Sequence, residues 1–235
     1  MLAFSELAPW KVKTGTEYGG AYTEIVRELA RRVGRELRIV ECPHPRCMLM
    51  MRSGDADLSI GVQQSPEREA FMAYLRTPYR KSATDRVFYV RRGEASRIRN
   101  YEDLPGLHIG VKQSSEYFDR FDDDKTLLKE SALTNAANLR KLMLKRLDTV
   151  LMPEDQGAVL LSDQKLVGQV EPAVYRERDP TPRSVSVSRK SAAFALLPQL
   201  EAAMQAMRRD GTLAAIYDKH YFKRYGVTRK QVRLD

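Results

Sequence analysis

The segment from Gly61 to Arg68 places polar and basic residues where a short apolar run ends and a helix is expected to begin. Ser65 has the side chain of an N-cap, and Pro66 suits the first helical position. Arg68 falls in the first turn, where its planar guanidinium can bind a carboxylate through two parallel hydrogen bonds. The unpaired N–H groups of a helix start favour the same anion. We therefore expect a carboxylate pocket at the carboxyl end of a strand; an ordinary capped helix with a surface arginine is the alternative.

A similar but weaker segment runs from Gly110 to Tyr117. It follows another apolar run, and either Ser114 or Ser115 could cap a helix there. Two helix starts that face each other across a cleft would bind one anionic group together. A serine pair before a helix is common, so this segment by itself indicates little.

Side-chain patterns for catalysis are sparse. The chain has three histidines, His44, His108 and His220, and none has the spacing of a metal site or a catalytic triad. The acidic runs Asp122–Asp124 and Glu154–Asp155 are typical of solvated turns. No phosphate-binding loop and no dinucleotide fingerprint occurs in the sequence. We therefore expect no catalytic residue, no metal site and no cofactor.

The two cysteines, Cys42 and Cys47, enclose a short segment that contains His44 and two prolines. The prolines disfavour a helix and favour a tight turn. Such a loop suits a disulfide, which is worth about 2 kcal/mol in the chain-entropy model. Free thiols are one alternative, and a metal site is a poorer one because three ligands on one turn fit a tetrahedron badly. We expect a disulfide that ties the strand Leu37–Glu41 to the next helix, which implies an oxidising compartment.

Basic residues outnumber acidic ones, 40 Lys and Arg against 31 Asp and Glu, so the formal net charge is +9. Such an excess makes nucleic acid binding a hypothesis to test. The basic residues are scattered, however, and acidic residues separate them. The sequence has no basic platform interleaved with aromatic residues and no zinc-finger spacing. We expect no nucleic acid partner, and a modest positive field that favours an anionic ligand.

Short apolar runs rich in β-branched residues alternate with segments of helical period. The expected strands are Leu37–Val40, Leu58–Gly61, Val87–Val90, His108–Val111, Thr149–Leu151 and Ser184–Val187. The expected helices are Tyr22–Val33, Ala136–Lys145 and Ser191–Arg209. This alternation predicts an α/β fold with parallel sheets covered by helices.

Two polar segments, Arg91–Ser96 and Arg178–Arg183, adjoin expected strands and suggest boundaries between lobes. If those strands cross between lobes, residues 91–183 form an inserted lobe. Residues 1–90 and 184–235 then form the other lobe. Each lobe has about the usual size of a domain.

The first residues, Met1–Glu6, lack the basic head and long apolar segment of a signal peptide. The simplest interpretation is a cytosolic protein; the alternative is a mature protein whose leader has been removed. No apolar run approaches the roughly 20 residues of a membrane helix. The expected disulfide favours the second interpretation.

Taken in order, these segments resemble the amino-acid-type solute-binding proteins of ABC transporters, which form extracellular solute-binding protein family 3. The resemblance covers roughly residues 2–226 and rests on Ala8-Pro9-Trp10, Gly19–Ile25, Leu49–Leu58, Ser65–Arg68, Thr77-Pro78-Tyr79, Asp103–Gly106, Ile109–Val111 and Arg146–Asp148. The cysteine pair is similar to that of a Gram-negative subset. The resemblance implies a type II fold whose two lobes, joined by two crossover strands, close on a ligand.

The resemblance also implies roles for single residues. In the family an arginine and nearby backbone amides hold the α-carboxylate of the ligand, which points to Arg68 with the backbone at Gln63 and Ser115. Gly61 and Ser114, in the same two segments, are further expected ligand contacts. A side chain near the family's proline–aromatic segment contacts the ligand, and the candidates here are Trp10, Leu7 and Glu6.

The family's acidic residue for the α-amino group follows the strand that contains Arg146 and Asp148. Here that place is occupied by Pro153, and Glu154 comes directly after it. This departure puts recognition of an α-amino group in doubt.

The resemblance implies a periplasmic protein that captures a small amino-acid-like or carboxylate ligand in the interlobe cleft. Its partner would be an ABC permease or a membrane sensor. The alternative is an enzyme, because cyclohexadienyl dehydratases, which act on prephenate or arogenate, share the fold. That activity needs a carboxylic acid over the leaving group, and Glu6, Glu116 or Glu154 could provide one. We expect a binding protein rather than an enzyme.

Overall fold

The computed structural model describes residues 1–113, 115–232 and 234. Their contacts divide the chain into two compact units. The first unit combines Met1–Ala83 with Pro180–Gly226 and Leu234. The second combines Thr84–Asp179 with a C-terminal stretch that starts at Val227. Each unit contains its own five-stranded sheet, and helices alternate with the strands along the chain. The expected α/β fold is therefore confirmed.

The strands are β1 Leu2–Phe4, β2 Val12–Thr14, β3 Glu17–Gly19, β4 Ile39–Glu41, β5 Leu58–Ser59, β6 Met72–Tyr74, β7 Arg86–Arg91, β8 His108–Lys112, β9 Leu128–Ala132, β10 Thr149–Pro153, β11 Val170–Glu177 and β12 Ser186–Ser188. The α-helices are α1 Ala21–Arg32, α2 His44–Ser53, α3 Pro66–Glu69, α4 Asp119–Asp123, α5 Asn135–Met143, α6 Glu154–Asp163, α7 Leu197–Arg209, α8 Thr212–Tyr217 and α9 Lys223–Tyr225. Short 3-10 turns lie at Ala95–Arg97, Tyr101–Asp103 and Ala192–Leu196, and a π-helical turn lies at Asp218–Phe222.

The sheet of the first unit has the strand order β4-β1-β5-β12-β6. β1 pairs in parallel with both β4 and β5, whereas β12 runs antiparallel to β5 and β6. Because β4, β1 and β5 are parallel, their carboxyl ends lie at the same end of the sheet. The residues that follow these strands therefore come together, as is usual for ligand sites of open α/β sheets.

A disulfide joins Cys42, directly after β4, to Cys47 in α2. The predicted bridge between this strand and the next helix is confirmed. The expectation that the two prolines exclude a helix is wrong, because α2 begins at His44. Pro45 occupies one of the first two helical positions, where its missing N–H has no intrahelical partner to lose.

The sheet of the second unit has the strand order β11-β7-β10-β8-β9. Alternate residues of its interior strand β7 face opposite sides, because side chains alternate along a strand. Phe88 and Val90 pack in one buried cluster with Ile109, while Val87 and Tyr89 pack in another. This sheet is therefore covered on both faces, which explains the nearly continuous apolar runs of its interior strands β7 and β10.

The chain passes from one unit to the other at Ala83–Thr84 and at Asp179–Pro180. The sequence places these boundaries slightly later, at residues 90/91 and 183/184. The difference arises because β7 pairs with β10 and β11 and so belongs to the second unit. An apolar run identifies a strand, but it does not identify the partners of that strand.

Candidate functional site

A cavity of about 770 Å³ lies in the first unit. It is formed at the carboxyl ends of the parallel strands β1, β4 and β5. Its lining residues are Ser5, Glu6, Leu7, Lys11, Glu41, Cys42, Pro43, His44 and Gly61. Glu6, Leu7 and Gly61 were among the ligand contacts expected from the sequence, and the structure brings them to one cavity.

The segment Leu7–Lys11 forms a tight turn that returns the chain to the cavity. The Leu7 N–H donates to the Lys11 carbonyl at 2.9 Å, and the Lys11 N–H donates to the Leu7 carbonyl at 2.8 Å. The Ala8–Pro9 peptide bond in this turn is cis. Gly61 has a left-handed φ of 81°, and a Cβ there would lie 3.0 Å from Leu7 Cδ2. The turn therefore packs closely on the residue that follows β5.

Lys11 is a buried lysine at this cavity, and only 2% of the residue is exposed. Its Nζ donates to the Ile60 carbonyl at 3.0 Å and to Ser5 Oγ at 3.5 Å. It also lies 5.8 Å from the centre of the Phe4 ring. Across the described residues, no carboxylate forms an ion pair with it. Burial lowers the pKa of Lys11 to about 8. The sequence analysis did not identify this residue.

His44 is the first residue of α2 and lies exposed at the same cavity. Partial desolvation of the ring lowers the pKa of His44, and the nearby charges of Arg68 and Lys11 lower it further. Pro43, the N-cap residue of α2, provides no side-chain cap, and the first turn contains no acidic residue. The buried ammonium of Lys11 and the uncapped start of α2 both favour an anion in this region, whereas the lowered pKa of His44 favours its neutral imidazole.

Arg68 lies in the first turn of α3, and Ser65 caps that helix as the sequence predicts. The Arg68 N–H donates to Ser65 Oγ at 3.4 Å. The partly buried guanidinium donates through Nη1 to the Gln63 carbonyl at 2.8 Å. No carboxylate forms an ion pair with it among the residues the structure describes. Its role in binding a ligand carboxylate stays a prediction.

Trp10 does not line the cavity. Only 3% of the residue is exposed, and its ring stacks on Tyr22 at 5.0 Å and on Tyr221 at 4.5 Å between ring centres. The ring is part of the core of the first unit, and its contact with a ligand stays a prediction. An aromatic residue after a proline has the same sequence pattern whether its ring packs in the core or contacts a ligand.

In the second unit, the predicted cap at Ser114 or Ser115 does not hold. Ser114 lies outside the described residues, and α4 begins only at Asp119, with Phe118 at the N-cap. The Ser115 N–H donates to the Lys112 carbonyl at 3.2 Å, so a turn after β8 already uses it. Ser115 lies three residues after the end of β8, and the chain becomes helical only at Asp119.

Glu154 opens α6, directly after β10, and only 9% of the residue is exposed. Its Oε1 accepts a hydrogen bond from Arg176 Nη1 at 2.8 Å, and the same nitrogen lies 3.4 Å from Asp85 Oδ2. Burial raises the pKa of Glu154, while Arg176 opposes that shift. This carboxylate therefore has a cation of its own chain as partner, and its contact with a ligand stays a prediction.

No group of three or more His, Cys, Asp or Glu residues in the described part of the chain could hold a metal ion. None of the helices described is both long and apolar enough to span a membrane.

Comparison with known proteins gives one family. The model of the bacterial extracellular solute-binding proteins, family 3, matches residues 3–223. No curated protein matches the chain.

Three solved structures illustrate the similarity of fold. The second substrate-binding domain of a putative amino acid ABC transporter from Streptococcus pneumoniae has a TM-score of 0.72 at 19% identity, over 94% of this chain and 98% of that one. An arginine-specific periplasmic binding protein of Salmonella typhimurium has a TM-score of 0.65 at 17% identity, over 94% of this chain and 97% of that one. An ancestral amino acid-binding protein, a precursor of cyclohexadienyl dehydratase, has a TM-score of 0.64 at 18% identity, over 94% of this chain and 93% of that one.

Proposed function

Because the chain belongs to the bacterial extracellular solute-binding proteins of family 3, we propose that it captures a small amino-acid-like or carboxylate ligand in the periplasm. It then presents that ligand to an ABC permease or a membrane sensor. The arginine specificity of the Salmonella protein and the amino acid transporter of the Streptococcus protein support this class of ligand.

The observation that supports the proposal best is the hydrogen bonding of the Arg68 guanidinium. Its guanidinium is fixed by the Gln63 carbonyl at 2.8 Å but forms no ion pair within the described residues. A guanidinium held by a neutral carbonyl keeps other N–H groups for a carboxylate, and its orientation needs little reorganisation on binding. Arg68 therefore binds the carboxylate of the ligand, with backbone groups near Gln63.

The ligand is found by a thermal-shift screen of amino acids, small carboxylates and polyamines. A ligand at 100 times its dissociation constant stabilises a protein by about 2.7 kcal/mol, which such a screen detects easily. Arginine is included because of the Salmonella protein.

Arg68→Lys is expected to weaken binding of the ligand so found by about 2 kcal/mol, or roughly thirtyfold. Lysine keeps the charge but loses the planar fork of donors. The matched control is Arg35→Lys, at an exposed arginine after α1, which should bind like the wild type. Calorimetric titration of all three proteins measures the effect. Equal affinities of wild type and Arg68→Lys would place the site elsewhere.

The protein is further proposed to bind its ligand without transforming it. The ancestral precursor of cyclohexadienyl dehydratase makes prephenate the informative substrate. A dehydratase needs a carboxylic acid that is free to protonate a leaving group, whereas Glu154 accepts a hydrogen bond from Arg176. Purified protein is expected to consume prephenate no faster than buffer does, as followed by absorbance. Saturable turnover that Glu154→Gln abolishes would establish the enzyme instead.

A further inference from the structure

We propose that the cavity of the first unit selects ligands with a second anionic group, which binds at Lys11 beside the start of α2. The inference rests on the proposed function, because it assigns the first carboxylate of the ligand to Arg68. It narrows the ligand class to dicarboxylates and acidic amino acids.

The first argument is the lack of a countercharge for Lys11. Its ammonium is almost fully buried, yet its hydrogen-bond partners are a backbone carbonyl and the hydroxyl of Ser5. Desolvation of an ammonium is expensive unless an anion compensates for it. The Phe4 ring at 5.8 Å gives only a weak cation–π attraction. An anion in the cavity that Lys11 lines would provide the missing charge.

The two glutamates that line the cavity do not provide that charge. Glu41 Oε2 accepts hydrogen bonds from Lys13 Nζ at 2.6 Å and from Tyr18 at 3.2 Å. Glu6 Oε1 lies 3.4 Å from the backbone nitrogen of Lys13 and is exposed. Both carboxylates thus face the β2–β3 hairpin rather than Lys11.

The start of α2 adds positive potential to the cavity, although His44 at that start is favoured in its neutral form. Lys11 and Arg68 both lie close enough to His44 to disfavour its protonation. The N-terminus of α2, ten residues long, has no side-chain cap and no acidic residue in its first turn. The helix dipole and the N–H groups at this helix start therefore favour an anion in the cavity that Lys11 also lines.

This arrangement also disfavours a cationic ligand side chain. A guanidinium or ammonium in the cavity would meet the buried charge of Lys11, which neither of the two cavity glutamates offsets through an ion pair in the described part of the chain. Like charges held close together in a poorly solvated site repel strongly. The arginine specificity of the Salmonella protein is therefore not expected in this chain.

The test compares each dianion with the analogue in which one carboxylate is replaced by an uncharged carboxamide. L-glutamate is titrated against L-glutamine, and succinate against succinamate, into wild type, Lys11→Met and Lys125→Met. Lys125 is exposed in the second unit, so its variant changes the net charge by the same amount. The wild type and Lys125→Met should bind at least one dianion about tenfold or more tighter than its amide. Lys11→Met should lose that preference while binding of the amide changes little.

Equal affinities within both pairs in the wild type would overturn the proposal. So would a preference that persists in Lys11→Met, tight binding of L-arginine, or no binding of either dianion at 10 mM. Any of these results leaves solute capture itself intact, because that proposal fails only if the thermal-shift screen finds no ligand, and the Arg68→Lys titration tests its site separately. Circular dichroism of Lys11→Met confirms that altered binding does not reflect loss of the fold.

Discussion

Replacing Lys11 with methionine is expected to raise the free energy of unfolding of the ligand-free protein at pH 7 by roughly 2–3 kcal/mol. Methionine has a similar length and no charge, so it fills the same buried space without a desolvation penalty. Burial alone lowers the pKa of Lys11 from 10.5 to about 8. Such a shift means that the charged ammonium is less stable relative to the neutral amine in the folded state than in the unfolded state.

The pH dependence of this difference has a definite sign. Between about pH 8 and pH 10.5 the unfolded state binds more protons at Lys11 than the folded state does. The stability of the wild type relative to Lys11→Met therefore rises through this window, and the difference shrinks towards pH 10.5. Below about pH 8 the full penalty is present.

Urea unfolding of both proteins at pH 7 and pH 10 measures the effect, because the other ionisable groups are common to both. The advantage of Lys11→Met should be large at pH 7 and small at pH 10. A variant less stable than the wild type at pH 7 would show that the bonds to Ile60 and Ser5 outweigh desolvation. The buried charge would then need no ligand to compensate for it.

Much of the fold follows from the sequence alone. The apolar runs near Val87–Val90 and Thr149–Leu151 are strands β7 and β10, and the helical period at Tyr22–Val33 is α1. Local chemistry determines these elements, because periodicity and capping act over a few residues. Strand pairing depends on distant segments, which explains why β7 was assigned to the other lobe.

The candidate site was predictable to a smaller extent. Ser65 and Arg68 lie within one short segment, so their spacing reveals the capped helix start. Lys11 is one of 40 basic residues, and nothing in its neighbours indicates that it is buried. Its position depends on the Leu7–Lys11 turn and on its contact with Ile60, which lies far along the chain. The burial of Trp10 does not follow from the sequence for the same reason, since its partners Tyr22 and Tyr221 are distant along the chain.

The position of Lys11 depends in turn on Gly20, which precedes α1. Gly20 has φ 96° and ψ 159°, a conformation that side chains rarely adopt. A Cβ at this position would lie 2.3 Å from the Trp10 carbonyl oxygen and 3.2 Å from the Lys11 nitrogen. That oxygen accepts the hydrogen bond of the Tyr22 N–H at 3.1 Å. The backbone of Trp10 and Lys11 thus rests directly on the start of α1, and glycine allows this approach.

Gly20→Ala is therefore expected to destabilise the protein by about 3 kcal/mol or more, because backbone strain and a clash with main-chain atoms add. The matched control is Gly34→Ala, since Gly34 also has a positive φ, 68°, but a Cβ there meets no atom within 4 Å. The control should lose only about 1 kcal/mol. Urea unfolding measures both losses, and L-glutamate titration of the folded variants measures binding. Because the clash displaces the segment that positions the buried ammonium, Gly20→Ala should also bind L-glutamate more weakly than Gly34→Ala does. Equal losses of stability in the two variants would show that the approach of Gly20 to Trp10 does not constrain the site.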